Sequence, residues 1–203
     1  FLRWLTLSGG EPFLRTDLVE IAEAALRHCP NLFYINTPTN SLAPEKILET
    51  VGRLLKLNIP MYVLSISLDG PPEVHNRVRG ISTAWDRAMT VLGSVRELEK
   101  KHPRRFQVLI EHTLLPPAYG RFTEMVDAVR QKFPDINAAD FMVAGPNVSQ
   151  HYYGNAAAVG ELKSSKEEMD KALLQIIEAR RARRRLSLNY LVPQLYLELY
   201  RGY

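Results

Sequence analysis

Apolar residues along this chain recur in two alternating rhythms. Leu2 to Ser8 is a short strand-like run stopped by Gly9-Gly10. A helix follows, with Asp17 as its N-cap, Glu20 three residues on closing a capping box, and Pro30 ending it. Its apolar stripe is Leu18, Ile21, Ala22, Ala25 and Cys29. Leu32 to Asn36 reads as the next strand, and Ala43-Pro44 opens a helix with Ile47, Leu48, Val51, Leu54 and Leu55 inward. Met61 to Leu68 is a third strand, closed by Asp69-Gly70-Pro71-Pro72. Thr83 and Asp86 head a helix carrying Trp85, Met89, Leu92 and Val95. Phe106 to Leu115 is a fourth strand, Phe122 to Phe133 a helix, and Ala138 to Ala144 a fifth strand.

Five strands and four helices within residues 1–144 give about 29 residues per unit, close to the roughly 31 of an eightfold β/α barrel. Strands and helices alternating on this period form a parallel sheet with helices outside it. Spacing alone leaves a barrel and an open doubly wound sheet equally open. After Gly145 the character changes: a loop holds His151, Tyr152, Tyr153 and Asn155, and a long helix runs from Ser165, capped by Glu168, to about Leu186. Tyr190 to Tyr203 is apolar and aromatic, interrupted by Pro193.

Composition narrows the class. The 203 residues are 46% hydrophobic and 24% charged, as in an ordinary globular chain. No apolar run is long enough to span a bilayer. A net charge of +4 is too mild to indicate nucleic acid. Cys29 is the sole cysteine, so no disulfide framework and no cysteine-ligated metal site is self-contained here. The opening residue is Phe rather than Met, from which we expect residues before it.

Ligands of parallel β/α folds bind at the carboxyl ends of strands. The first strand ends in Ser8-Gly9-Gly10-Glu11-Pro12. Here the backbone can approach a ligand without a Cβ, and a carboxylate sits beside free carbonyls, which suits a primary ammonium group. A tight turn with a solvated Glu is the plain alternative. The second strand ends in Asn36-Thr37-Pro38-Thr39-Asn40-Ser41, which ordinary turn chemistry also explains. The third ends in Ser67-Leu68-Asp69-Gly70, then Pro71-Pro72-Glu73-Val74-His75-Asn76-Arg77-Val78-Arg79-Gly80, read as a surface loop whose basic residues can receive a ligand carboxylate.

Gly9-Gly10-Glu11-Pro12 with Phe13-Leu14-Arg15, then Thr39-Asn40-Ser41, then Ser67-Leu68-Asp69-Gly70 with His75-Asn76 and Arg79-Gly80, resemble the radical S-adenosylmethionine (SAM) superfamily. The likeness covers Leu2 to Gly145 and is nearest to the branch with a C-terminal SPASM-type extension. It implies a partial sixfold TIM-like barrel lacking its first β/α unit, with a core domain over 1–145. Residues 146–203 would then be a loop and helical tail beginning a C-terminal extension. By the same resemblance Gly9, Gly10, Glu11 and Pro12 meet the methionine ammonium of SAM, with Thr39 and Asn40 beside the methionine. Ser67 would contact the carboxylate or ribose side, Asp69 would order its loop, and Arg79 would pair with a carboxylate. The backbone of Val143 and Ala144 would face the adenine. Where the family has Thr-Asn-Gly, this chain has Ser41, which puts the backbone of that loop in question. Several charge-assisted hydrogen bonds at ~1.5–3 kcal/mol each reach the ~8 kcal/mol of micromolar binding.

The resemblance further implies a [4Fe-4S] cluster on a CxxxCxxC loop. This chain has no such motif, so the loop is expected in the several tens of residues before Phe1, and Cys29 is read as a small buried core residue. The complete enzyme would be cytoplasmic, would take one electron from a ferredoxin or flavodoxin, and would cleave SAM to methionine and a 5′-deoxyadenosyl radical. That radical would abstract hydrogen from a small-molecule or peptide substrate, as in a peptide-modifying maturase. A cluster-less relic serving as a binding module and an ordinary β/α-barrel enzyme are the competing readings. Two further features stand outside the motifs. Arg180, Arg181, Arg183, Arg184 and Arg185 suggest a solvated helix end or an anionic partner surface. In the fourth strand, alternation sends Glu111 and Thr113 to one face and His112 to the other, as substrate or SAM contacts or as satisfied buried groups.

Overall fold

The computed structural model describes residues 1–144 and 165–181. Five strands form one parallel sheet in the order β1 (Trp4–Thr6), β2 (Tyr34–Thr39), β3 (Met61–Ser67), β4 (Phe106–Thr113) and β5 (Phe141–Ala144). The helices are α1 (Leu18–His28), α2 (Pro44–Leu54), α3 (Pro72–Arg79), α4 (Ala84–Lys101), α5 (Phe122–Lys132) and α6 (Lys166–Arg181). Sequential strands lie side by side with helices between them, the arrangement of a partial TIM-like α/β barrel. The chain divides into two compact units, Phe1–Leu68 with Thr83–Ile110, and Asp69–Ser82 with Glu111–Tyr203.

In the first unit, register assigns every side chain a face. Thr39 pairs with Ile66 and Thr37 with Leu64, so Ile35, Thr37 and Thr39 share a face with Tyr62, Leu64 and Ile66. All six are buried, as are Ile47, Val51 and Leu54 of α2 and Ala88, Val91, Leu92 and Val95 of α4. Alternate positions Tyr34, Asn36, Pro38, Met61 and Ser67 lie on the other face and are only half-buried. Tyr62 stacks on Phe106 at 5.4 Å, and its hydroxyl lies 2.5 Å from Thr37 Oγ1, which satisfies two polar groups deep in the core.

The second unit contains an element that the sequence reading placed in a surface loop. Pro72–Arg79 is a helix, α3, ended by Gly80 at φ 69°. Pro72 occupies the first turn, where a missing N–H costs nothing, and Gly80 supplies the left-handed exit. In the same unit His112 lies 5.7 Å from the Phe122 ring, and Phe122 meets Phe141 edge-on at 5.6 Å. Arg180, expected in solvent at a helix end, is instead fully buried and donates from Nη1 to the Phe141 carbonyl. Arg181 is exposed, while Arg183, Arg184 and Arg185 lie outside the described residues, as do the loop from Pro146 to Lys163 with its tyrosines and the segment from Tyr190 onward.

Element ends differ from expectation for identifiable reasons. Asp17 flanks α1 but makes no capping bond, because its carboxylate is held by Arg15 at 2.9 and 2.7 Å. Glu20 closes no box either; it meets Arg53 of α2 at 2.9 Å. The box at Ser165 does form, with Ser165 N–H donating to Glu168 Oε2 and Glu168 N–H donating to Ser165 Oγ. Cys29 caps the end of α1 and is half-buried, not a fully enclosed core residue.

Gly70 is held by close approach. A Cβ there would fall 2.6 Å from Val74 Cγ1 and 2.9 Å from Val74 Cβ, a β-branched side chain stiff at χ1. We therefore expect Gly70→Ala to destabilise the protein by about 2 kcal/mol in urea unfolding, whereas Gly52→Ala, with nothing within 4 Å and a helical backbone, raises stability.

Candidate functional site

The turn after β1 is built around one carboxylate. Glu11 precedes a short 3₁₀ turn, Pro12–Leu14, and Phe13 N–H donates to its Oε1 at 3.3 Å. The same carboxylate reaches the carboxyl end of β2. Thr39 Oγ1 lies 3.1 Å from each of its oxygens, and Asn40 N–H donates to Oε2 at 2.7 Å. Thr39 has one hydroxyl hydrogen to give, and its oxygen in turn accepts from Ser41 N–H at 3.1 Å. Asn40 closes an Asx turn, accepting from Leu42 N–H at 2.9 Å. Phe13, Thr39 and Asn40, from two strand ends, thus meet at one carboxylate.

Gly9 and Gly10, just before it, are exposed. Neither has positive φ, and an added Cβ would meet nothing within 4 Å at either position. The fold itself therefore makes no demand for glycine there. What two adjacent glycines provide is bare backbone, with carbonyls open to a ligand that must come close.

Ser41 answers the question raised by the missing glycine. It is the only non-glycine residue with positive φ among those described, at 62°, and it is fully buried. The loop keeps the left-handed bend that glycine would adopt without cost, and a serine bears it. Its Oγ is buried with no hydrogen-bond partner among the described residues. Left-handed backbone costs an L-residue roughly 1–2 kcal/mol, and an unmet buried hydroxyl adds to that.

Ser67 ends β3 on the half-buried face, one position beyond Ile66, which pairs with Thr39. Thr39 and Ser67 therefore sit at neighbouring strand ends but on opposite faces. The three polar tips, expected together, divide: Glu11 and Thr39 are joined by hydrogen bonds, and Ser67 is not part of that cluster.

Within the second unit, Asp69 is almost wholly enclosed. Arg79 donates to it twice, from Nε at 2.6 Å and from Nη2 at 3.0 Å. Asp69 Oδ2 and the Asp69 backbone nitrogen lie 3.1 and 3.2 Å from the same His75 Nδ1, which serves one of them at a time and donates to the carboxylate in its Nδ1–H form. The strand-end carboxylate thus meets the middle of α3 through His75 and its last residue through Arg79, and the Arg79 fork faces a carboxylate of the chain itself. Burial pushes the Asp69 pKa up, but the His75 hydrogen bond and the Arg79 charge outweigh it and hold the group below the ordinary aspartate range. On β5, Val143 is buried on the Phe141 side while Ala144 lies on the alternate face.

Bare glycine backbone beside a carboxylate is chemistry that suits a primary ammonium group. A cysteine-held iron–sulfur cluster does not fit this chain's residues: Cys29 is its one cysteine, and no group of three His, Cys, Asp or Glu is gathered among the described residues.

Fold and site together define a TIM-like α/β barrel protein with a polar cluster at its strand ends. No family model and no curated protein matches the chain. Among solved structures it is similar to native anSMEcpe with bound AdoMet and Kp18Cys peptide. The TM-score is 0.54 at 17% identity, covering 86% of this chain and 46% of that one. This chain therefore spans about half the length of the structure it matches, and the likeness is one of fold.

Ser41→Gly relieves both the bend and the unmet hydroxyl. We expect a gain of about 1 kcal/mol in urea unfolding with unchanged denaturant slope, net of glycine's greater freedom in the unfolded chain. Asp69, with its lowered pKa, contributes stability that is complete above the ordinary aspartate value of about 3.9 and is lost as pH falls through the lower folded value. Asp69→Asn should accordingly lower the melting temperature at pH 7 and flatten its decline between about pH 4 and pH 2.

Proposed function

We propose that this chain is the SAM-binding part of a radical SAM enzyme. The observation that carries the reading is the Glu11 carboxylate, which fastens the Gly9-Gly10 corner to Thr39 and Asn40 at the neighbouring strand end. In this reading the exposed backbone of Gly9 and Gly10 receives the methionine ammonium, and Pro12 fixes the exit of the turn. Glu11 holds the corner in place and adds negative charge beside the cation. Ser67 contributes a hydroxyl at the next strand end, and within its own unit Asp69 keeps its loop folded through Arg79 and His75. SAM, when bound and reduced, supplies the hydrogen-abstracting chemistry of the class. The chain's own task is to orient it and exclude water.

A peptide substrate is the finer reading that the similar structure favours, since that protein holds one. The alignment of folds supports it only as an analogy of architecture.

Calorimetric titration with SAM tests the proposal. We expect saturable binding that Glu11→Ala weakens at least tenfold, a loss of about 1.4 kcal/mol or more, with Ser67→Ala weakening it less. A protein that is folded by circular dichroism but takes up no SAM, or that binds it equally well as Glu11→Ala, overturns the reading.

A further inference from the structure

The carboxyl end of β4 carries a carboxylate that the SAM site does not use. His112 packs toward Phe122 of α5, so alternation places Glu111 and Thr113 on the opposite face of the strand. The Leu114 N–H donates to the Ala144 carbonyl at 2.9 Å, and in a parallel ladder that bond sets Glu111 beside Met142 and Thr113 beside Ala144. Phe141 meets Phe122 edge-on, which assigns Met142 and Ala144 to the Glu111 face by the same alternation. Met142 is 40% exposed on that face, unusual for a methionine in a sheet.

Glu111 itself is half-buried, and among the described residues no hydrogen bond or ion pair reaches its carboxyl. Burial alone pushes its pKa up, and no neighbouring cation offsets this. The other carboxylates of this unit with lowered pKa values, Asp69, Glu73 and Glu168, are each paired or capped. A desolvated acid without a partner costs folding energy unless something else completes it.

We propose that Glu111 is a substrate-recognising carboxylate: it receives a positively charged nitrogen, ammonium or guanidinium, while the exposed Met142 packs the apolar stem that carries it. A thioether beside a carboxylate gives such a ligand one soft apolar contact and one charge-assisted bond. The use of this ligand as substrate rests on the radical SAM reading; the recognition of charge does not.

The test uses n-butylguanidinium and n-butylammonium as probes, n-butanol as the neutral control, and the ¹³C-methyl resonance of Met142 as reporter. Both cations should shift that resonance saturably, butanol should not, and Glu111→Gln should weaken the cations at least tenfold. Glu111→Asp, which keeps the charge, should retain part of the effect. Glu111→Gln should also melt no lower than the parent protein, because it removes a desolvated acid and breaks no hydrogen bond or ion pair among the described residues. Equal response to butanol, no saturable shift, or cation binding unchanged in Glu111→Gln overturns the assignment. SAM titration in parallel separates the two ideas. Cation recognition without SAM uptake sinks only the radical SAM reading, and SAM uptake without cation recognition sinks only the role of Glu111.

Discussion

One carboxylate holds the candidate site together. Glu11 accepts from Phe13 N–H in its own turn, and from the Thr39 hydroxyl and Asn40 N–H across at β2. These are charge-assisted bonds to backbone and hydroxyl donors, each worth roughly 1.5–3 kcal/mol. Without them the turn after β1, whose two glycines have little conformational preference, would have no fixed position over the neighbouring strand end. The contact lies between residues 28 and 29 positions apart in the chain, so the parallel pairing of β1 with β2 has to exist before it can form.

The Asp69 cluster does comparable work inside the second unit. It takes a strand-end carboxylate that would be costly to bury and satisfies it with a guanidinium fork and an imidazole from one short helix. α3 has only eight residues, too few to be stable on propensity alone, and these bonds hold its middle and its C-terminal end. Ser41 and Glu111 are the counter-examples. Ser41 bears a left-handed backbone with a buried hydroxyl, and Glu111 is desolvated without a partner among the described residues. Departures from local consistency of this sort concentrate where a protein binds something.

Much of the architecture was legible because burial imposes periodicity. Ile110 to Thr113 alternate, and Ile47, Val51 and Leu54 recur at helical spacing, since each element has one face against the core, whereas β2 runs on to Thr39, past the expected end at Asn36. α3 was missed because Glu73, His75, Asn76, Arg77 and Arg79 are polar and only Val74 and His75 are buried, so no apolar stripe marks it. Pro72 in the first turn and Gly80 just past the end were the available signals. The box expected at Asp17 failed because side-chain competition is not local: Arg15 takes Asp17, and Arg53 from α2 takes Glu20.

The site was legible as a set of residue types and illegible as a geometry. From the sequence alone came the parallel α/β architecture, the positions of the strand ends, and the gathering of Gly9, Gly10, Glu11, Thr39 and Ser67 at them, because period and composition are local properties of the chain. Only the tertiary structure decided that Glu11 and Thr39 meet while Ser67 lies on the other face, that Arg79 is engaged by Asp69, and that Ser41 keeps a glycine's bend. Those outcomes depend on strand register and on which of several polar groups finds a partner first, and both are settled by contacts between residues far apart in sequence.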